Sequence, residues 1–188
     1  MNIEVEYKFA LNMPIADFTK ILKAKNYLLG KRKYEKTVMY DNQARIMQRD
    51  DGRIRLRQAG DRYSLSYKKP LPNTLGQPKK EIEYETEVGS FELIDKILHT
   101  MEFKSTSSYE KYRTTILEKS VQITIDEYPY QAFVEIEGNE NNILEIAIDL
   151  GFDISTHINL PADTLFNLWR KERGLPESMH MSFADFDK

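Results

Sequence analysis

Residues 3–9 read IEVEYKF, with Ile3, Val5, Tyr7 and Phe9 alternating against Glu4, Glu6 and Lys8. A period of two marks a β-strand with one apolar and one polar face. The polar face carries two carboxylates and then an amine. Whether that face meets bulk water or an enclosed space decides the architecture.

The pattern recurs along the chain. Residues 52–58 (GRIRLRQ) set Arg53, Arg55 and Arg57 against Ile54 and Leu56, and 63–69 (YSLSYKK) set Ser64, Ser66 and Lys68 against Leu65 and Tyr67. Residues 80–88 (KEIEYETEV) oppose Glu81, Glu83, Glu85 and Glu87 to Ile82, Tyr84 and Thr86. Residues 110–116 (EKYRTTI) present Lys111 and Arg113, 121–127 (VQITIDE) Gln122, Thr124 and Asp126, and 132–138 (AFVEIEG) Glu135 and Glu137. Residues 33–41 (KYEKTVMYD) read as a further strand whose faces are less cleanly sorted. Apolar residues at helical spacing predict helices over 14–27, 90–101, 141–152 and 161–174. Pro14 suits a first turn, Ser90 an N-cap, Asn142 with Glu145 a capping box, and Gly151 and Gly174 the stops. Residues 71–78 form a turn-rich connection, and Met179, Met181, Phe183 and Phe186 predict a tail packed on something.

A faint repeat runs through this order. KIL occurs at 20–22 and 96–98, and YEK at 34–36 and 109–111. Each pair follows a glutamate-rich strand, so the chain reads as two related halves of strand, helix and three strands. Eight strands suffice to close a small barrel.

Like charges are grouped on single strands. Same-face neighbours lie about 6.8 Å apart, so each Arg–Arg pair in RIRLR costs about 2 kcal/mol at an effective dielectric near 20. Facing anions reverse that sign for the arginines, and cations do so for the glutamates. Helices are available to cover the apolar faces, which turns the charged faces toward a lumen. Lys8, Arg55, Arg57, Lys68, Lys111 and Arg113 would grip a polyanion with several phosphates. Glu4, Glu6, Glu81, Glu83, Glu85, Asp126, Glu135 and Glu137 would need cations between themselves and that anion, and all-oxygen ligands select Mg²⁺ or Mn²⁺. Phosphate, divalent metal and clustered acids together point to phosphoryl chemistry.

The series Glu4-x-Glu6-x-Lys8, Arg55-x-Arg57, Lys68 before Pro70, the ExE strand, Lys111-x-Arg113, Asp126 and Glu135-x-Glu137 resembles the CYTH superfamily of triphosphate tunnel metalloenzymes. The resemblance covers roughly residues 1–150. It implies an α+β fold, an eight-stranded antiparallel barrel whose tunnel binds a triphosphate and one or two divalent ions, with residues 151–188 as a helix and tail packed on that core in a single domain. It also implies metal ligands Glu4 and Glu6 with Glu135 and Glu137, phosphate ligands Lys8, Arg55, Arg57, Lys68, Lys111 and Arg113, and Asp126 as metal ligand or base. Two of Glu81, Glu83 and Glu85 belong to the pattern, and the repeat favours Glu83 and Glu85. Catalytic candidates are Lys8, Asp126 and Glu137. Arg53 reads as a rim charge or an extra tunnel arginine, and Arg170, Lys171 and Arg173 read as a solvated basic face, with closure of one tunnel mouth over phosphate as the alternative the resemblance implies.

The implied activity is hydrolysis of an inorganic or organic triphosphate such as tripolyphosphate, thiamine triphosphate or ATP. A class IV adenylyl cyclase, forming cyclic AMP and pyrophosphate, shares the same motifs, and a non-catalytic polyphosphate or nucleotide binder is the third reading. The 188 residues carry a net charge of −3 and no cysteine, which argues against nucleic acid or anionic membrane as a general partner and excludes disulfides and thiolate metal sites. No membrane span or leader is visible, so a cytoplasmic protein, with a homodimer as one option, is expected. No GxxxxGK[ST] is present, which excludes a P-loop. His99, His157 and His180 lie away from the charged strands, and Trp169 with Leu165, Phe166 and Leu168 reads as a packing stripe.

Overall fold

A computed structural model of the chain describes residues 2–72, 77–118 and 120–186, so residues 73–76 of the expected 71–78 connection lie outside the described residues. Eight strands form the body: β1 (Asn2–Ala10), β2 (Lys33–Asn42), β3 (Arg53–Ala59), β4 (Arg62–Pro70), β5 (Lys79–Val88), β6 (Phe103–Glu118), β7 (Val121–Glu127) and β8 (Ala132–Glu137). Their order is β2-β3-β4-β5-β1-β8-β7-β6, and β6 pairs back onto β2. Every one of these pairings is antiparallel, so the sheet closes into an eight-stranded barrel.

Helices stand outside, as the apolar faces require. Helices α1 (Ile15–Ala24) and α4 (Glu140–Asp149) cover β1, β7 and β8, burying Phe9, Phe18, Leu22, Ile123, Val134, Ile136 and Ile143. Each fully buried aliphatic side chain here contributes about 1.5–3 kcal/mol. Helix α3 (Phe91–Thr100) covers β2–β4 through Tyr40, Leu56 and Leu98. With their apolar sides used in this way, the alternate residues of every strand must face the bore.

The two-half organisation holds at the level of elements: β1-α1-β2-β3-β4 repeats as β5-α3-β6-β7-β8, with β1 pairing β5 and β2 pairing β6. It does not hold residue by residue at YEK. Glu35 is buried inside the bore, whereas Glu110 faces out and accepts hydrogen bonds from Ser182 Oγ and Phe183 N.

Three local features differ from expectation. Strand β6 begins at Phe103 instead of near 110, because β2 supplies backbone partners to its polar residues 104–108 across an irregularity between Met39 and Tyr40. Helix α4 is capped by Asn139, which accepts from Asn141 N, and not by Asn142. A short helix α2 (Ile46–Arg49) in the β2–β3 connection has no apolar period to announce it. Helix α5 (Ala162–Glu172) and the tail pack Phe166, Trp169, Met181 and Phe186 on Tyr128, Tyr130 and Phe133. A two-residue strand β9 (His180–Met181) runs parallel to β6 at Ser108 and Tyr109, an edge that β7 leaves free because it pairs β6 only from Tyr112 onward. No helix among the described residues is long and apolar enough to cross a membrane.

Candidate active site

The bore encloses a cavity of about 800 Å³ lined by eight glutamates and eight lysines or arginines. These charges are sorted by strand. The adjacent strands β5, β1 and β8 carry Glu81, Glu83, Glu85, Glu4, Glu6, Glu135 and Glu137, with Lys8 and Lys79 among them. The remaining arc carries Lys111 and Arg113 on β6, Arg53, Arg55 and Arg57 on β3 and Lys68 on β4, with Glu35 on β2 as the one carboxylate that its strands bring to the cavity lining among the described residues, and Asp51 just before β3. An acidic wall thus faces a basic wall.

Register fixes the close pairs. Lys8 lies opposite Glu135 across β1–β8, and Glu6 lies opposite Glu137. Lys8 Nζ stands 3.1 Å from Glu135 and 3.8 Å from Glu6, and donates to the Leu160 carbonyl at 3.4 Å. Burial disfavours its charge, but Glu135 and Glu6 more than compensate, so its pKa is raised. Lys68 bridges Glu4 at 2.6 Å and Glu83 at 3.1 Å. Arg55 spans Glu83 and Glu85 at 3.0 and 3.2 Å. Arg113 reaches Glu135 at 2.7 Å and, with Lys111, closes on Asp126.

The basic wall is short of counter-charge. Burial and then Arg55 and Arg113 lower the pKa of Arg57, against Glu35 and Glu85, and its Nε has no hydrogen-bond partner although it is buried. A buried unpaired donor costs about 1–3 kcal/mol, and Glu35 Oε2, likewise buried without a hydrogen-bond partner, stands 4.0 Å from Arg57 Nη1, too far to relieve it. Tyr109 tells the same story. Burial raises a phenol, yet Arg55, Lys111 and Arg57 hold Tyr109 below its ordinary value. On the acidic wall, Glu83 is raised by burial and by its hydrogen bond with Glu4, and Glu137 by burial and by Glu6 and Glu83. Glu137 makes no ion pair within 4.0 Å among the described residues, and carboxylates left in this state suit a hard cation.

Every residue expected to bind phosphate (Lys8, Arg55, Arg57, Lys68, Lys111 and Arg113) lines the cavity, as do Glu4, Glu6, Glu83, Glu85, Glu135 and Glu137. Asp126 does not. It is fully buried, and its two oxygens are taken by Arg113 Nε at 2.6 Å and Lys111 Nζ at 2.7 Å. Arg53 is a tunnel residue, ion-paired with Glu81, and not a rim charge. Glu81 is the most buried of its strand's glutamates, while Glu85 sits nearer the open end. Arg170 and Arg173 face away from the bore, onto the Pro176 and Trp169 carbonyls. His99 and His157 bond backbone carbonyls, and His180 bonds Ser108.

Sequence reading missed Glu35, Lys79 and Tyr109. Lys79 shares its face with Glu81 and was recoverable by extending the alternation back by two residues. Burial, with Arg53 and Lys8, pushes its pKa down to about 8 against Glu6 and Glu135. Glu35 and Tyr109 had no such signal, since neither stands in a run of like charges.

A CYTH domain profile matches residues 2–152. The chain belongs to the CYTH family. Solved structures share the CYTH fold with it at low identity. A conserved hypothetical protein from Pyrococcus furiosus is 21% identical with a TM-score of 0.71, covering 85% of this chain and 97% of its own. An assigned adenylate cyclase from Vibrio parahaemolyticus is 14% identical with a TM-score of 0.76, covering 88% and 98%. The assigned adenylyl cyclase HpAC1 from Hippeastrum, described as having a dominant triphosphatase activity, is 16% identical with a TM-score of 0.55, covering 99% and 95%. No curated protein matches the chain. CYTH proteins bind triphosphate substrates and are in general metal-dependent.

As the side chains stand, no three acidic or histidine groups among the described residues converge closely enough to hold a metal ion, because Lys68 and Lys8 bridge the glutamates. The donor set nevertheless fits one: all oxygen, in excess on its wall, with two carboxyls raised by burial and then by their acidic neighbours. Were a cation held by Glu83 and Glu137, proton and cation would compete for them. A raised native pKa means that acid favours the protonated form, so cation binding weakens as pH falls through that range. The rise in melting temperature on adding Mn²⁺ is expected to be larger at pH 7 than at pH 5. An equal rise at both would remove these two residues from the cation site.

Proposed function

We propose that this protein is a divalent-metal-dependent triphosphatase. The observation that carries the reading is the pair of opposed walls, with Arg57 under-neutralised and its Nε unspent on the basic side. Arg55, Arg57, Lys68, Lys111 and Arg113 would take the phosphate oxygens, and Lys8 would reach the same anion from the acidic wall. Glu4, Glu6, Glu135 and Glu137, with Glu83 or Glu85, would hold Mg²⁺ or Mn²⁺. Bound there, the ion would neutralise phosphate oxygens and help orient the attacking water.

The protein's own contribution is positioning and charge. Guanidinium and ammonium groups held in the bore would stabilise negative charge that spreads over the oxygens in the transition state. Glu137, whose proton affinity is raised by burial and by Glu6 and Glu83, would accept a proton from the attacking water. Asp126 takes the role of a positioning residue, holding Lys111 and Arg113 in their bore-facing geometry.

The cyclase reading uses the same two walls, with a ribose hydroxyl in place of water. Hydrolysis is favoured because the Hippeastrum protein, although assigned as a cyclase, has a dominant triphosphatase activity. The test is incubation with tripolyphosphate, thiamine triphosphate or ATP and Mg²⁺ or Mn²⁺, following orthophosphate, pyrophosphate and cyclic AMP. Orthophosphate release is expected. Cyclic AMP with pyrophosphate would replace the reading with the cyclase, and binding without turnover would reduce it to a binding module. Lys8→Ala and Glu6→Ala are each expected to abolish turnover while keeping the circular dichroism spectrum. Unchanged rates in both would remove the assigned site.

A further inference from the structure

Two phenols line the tunnel among the described residues, Tyr109 on β6 and Tyr128 just past β7. Tyr109 shares its face of β6 with Lys111 and Arg113, and all three turn toward the bore. Across the β2–β6 seam it lies directly opposite Thr37, a buried residue whose side chain hydrogen-bonds to it. Its ring packs against that of Tyr128, with centroids 5.9 Å apart, at the edge of the cluster that holds Phe133, Phe166 and Met181. From outside, β9 pairs with β6 at this point and sets Met181 opposite Tyr109. Backbone and ring are both held, which fixes the hydroxyl at the basic wall.

The two phenols are driven in opposite directions. Burial would raise the pKa of Tyr109, yet Arg55, Lys111, Arg57 and the Thr37 hydrogen bond hold it below its ordinary value. Tyr128 is driven far up by burial, and then by Asp126, Tyr109 and Glu135, against Arg113. Tyr7, Tyr27, Tyr34, Tyr40 and Tyr130 are raised as well. Glu35, the carboxylate that β2 brings to this wall, is engaged by Lys111 at 3.7 Å and Arg57 at 4.0 Å. Of these seven tyrosines, Tyr109 parts with a proton most easily.

Loss of the leaving phosphate is eased by a proton delivered to the oxygen that departs. The cations of the bore are poor sources of it. Guanidinium groups keep their protons. At Lys8, burial is outweighed by Glu135 and Glu6, which hold its charge. Lys68 and Lys79 are tied to the acidic wall, through Glu4 and Glu81, at 2.6 Å each. Resting on the triphosphatase reading, we propose that Tyr109 is a catalytic residue that donates its hydroxyl proton to the leaving phosphate. The negative charge of the bound triphosphate offsets the surrounding cations and keeps the phenol protonated until cleavage. As the oxygen of water bonds to the terminal phosphorus, the bond from that phosphorus to the bridging oxygen breaks. Its electron pair goes to the bridging oxygen, which takes the proton from Tyr109 Oη. Arg55, Lys111 and Arg57 stabilise the phenolate left behind. The proton lost by the water passes through Glu137 to solvent, and solvent reprotonates Tyr109 as the products depart.

The experiment follows orthophosphate release from tripolyphosphate with Mg²⁺, from neutral to alkaline pH, in the wild type and in Tyr109→Phe, with phenolate absorbance of the ligand-free proteins recorded alongside. General acid catalysis is worth about 10²–10⁴-fold, so the variant is expected to lose about a hundredfold or more in kcat at neutral pH while keeping its melting temperature. Deprotonation removes the acid, so wild-type kcat/KM is expected to fall as pH rises through the titration of Tyr109, and the variant lacks that limb. Absorbance is expected to show one tyrosine ionising ahead of the others in the wild type and missing from the variant. Thr37→Val removes a bond that favours the phenolate, so it moves the same limb to higher pH, and it supplies the readout if Tyr109→Phe melts below the wild type. An undiminished rate in Tyr109→Phe, a loss equal at every pH, or a limb that Thr37→Val leaves in place overturns the proposal. Release by the wild type with these profiles unmoved overturns this step alone, whereas a wild type that releases no orthophosphate overturns the triphosphatase reading and the step with it.

Discussion

Asp126→Ala is expected to lower stability by about 3–5 kcal/mol, because it strips a counter-charge from two buried cations. For a chain of this size that corresponds to a fall of roughly 10 °C in melting temperature. The carboxylate is fully buried and engages Lys111 at 2.7 Å and Arg113 at 2.6 Å. Among the described residues, Lys111 would retain only Glu35 as an ion-pair partner, at 3.7 Å, and Arg113 only Glu135, at 2.7 Å. Asp126→Asn keeps the shape and an acceptor, so its loss is expected to be smaller. The Asn variant also separates two roles. If Asp126 is a metal ligand, the Mn²⁺-induced rise in melting temperature disappears. If it positions Lys111 and Arg113, as its geometry indicates, that rise persists while affinity for triphosphate drops. Thermal melts of the three proteins with and without Mn²⁺ decide the point.

Asp126 also shows where sequence and structure part company. Its position in the alternation of VQITIDE correctly puts it on the inward face, with Gln122 and Thr124. Alternation reports the face and says nothing of depth. At Asp126 the bore is already giving way to the aromatic plug, since its cross-strand partner is Phe133 and the next inward residue is Tyr128. The expectation of a metal ligand therefore met a side chain enclosed by lysine and arginine.

The barrel itself was legible because period-two runs with grouped charge leave little freedom once helices must cover the other face. IEVEYKF, GRIRLRQ and AFVEIEG each put every charge on one side, and each lines the tunnel as that pattern requires. What stayed hidden depends on pairing. The stretch KSTSSY has no apolar alternation and becomes strand only because β2 lies alongside it. Glu35 is buried only because closure brings β2 against β6 and sets Lys111 opposite it. A second cavity joins residues from 39–54, 104–107, 163 and 179, a grouping that no local pattern contains.

Arg57→Met is expected to reduce turnover of a triphosphate by 10²–10³-fold while leaving the melting temperature unchanged or slightly raised. The first half follows from removing a charged donor aimed at oxygens that gain charge in the transition state. The second follows from what Arg57 does in the ligand-free barrel. Its guanidinium is buried beside Arg55 and near Arg113, and its Nε is unpaired. At same-face spacing the repulsion with Arg55 amounts to about 2 kcal/mol at an effective dielectric near 20. Its ion pairs return part of that cost, with Glu85 at 3.2 Å and Glu35 at 4.0 Å, and both carboxylates keep another partner in Arg55 and Lys111. Methionine fills the space without charge. A residue kept at a cost to the empty protein is one whose value appears with the ligand, so added tripolyphosphate should stabilise the wild type more than the variant. Melting temperature and kcat/KM measured on one preparation test both halves. A variant that melts well below the wild type would make Arg57 structural and deprive the basic wall of its unmet demand for an anion.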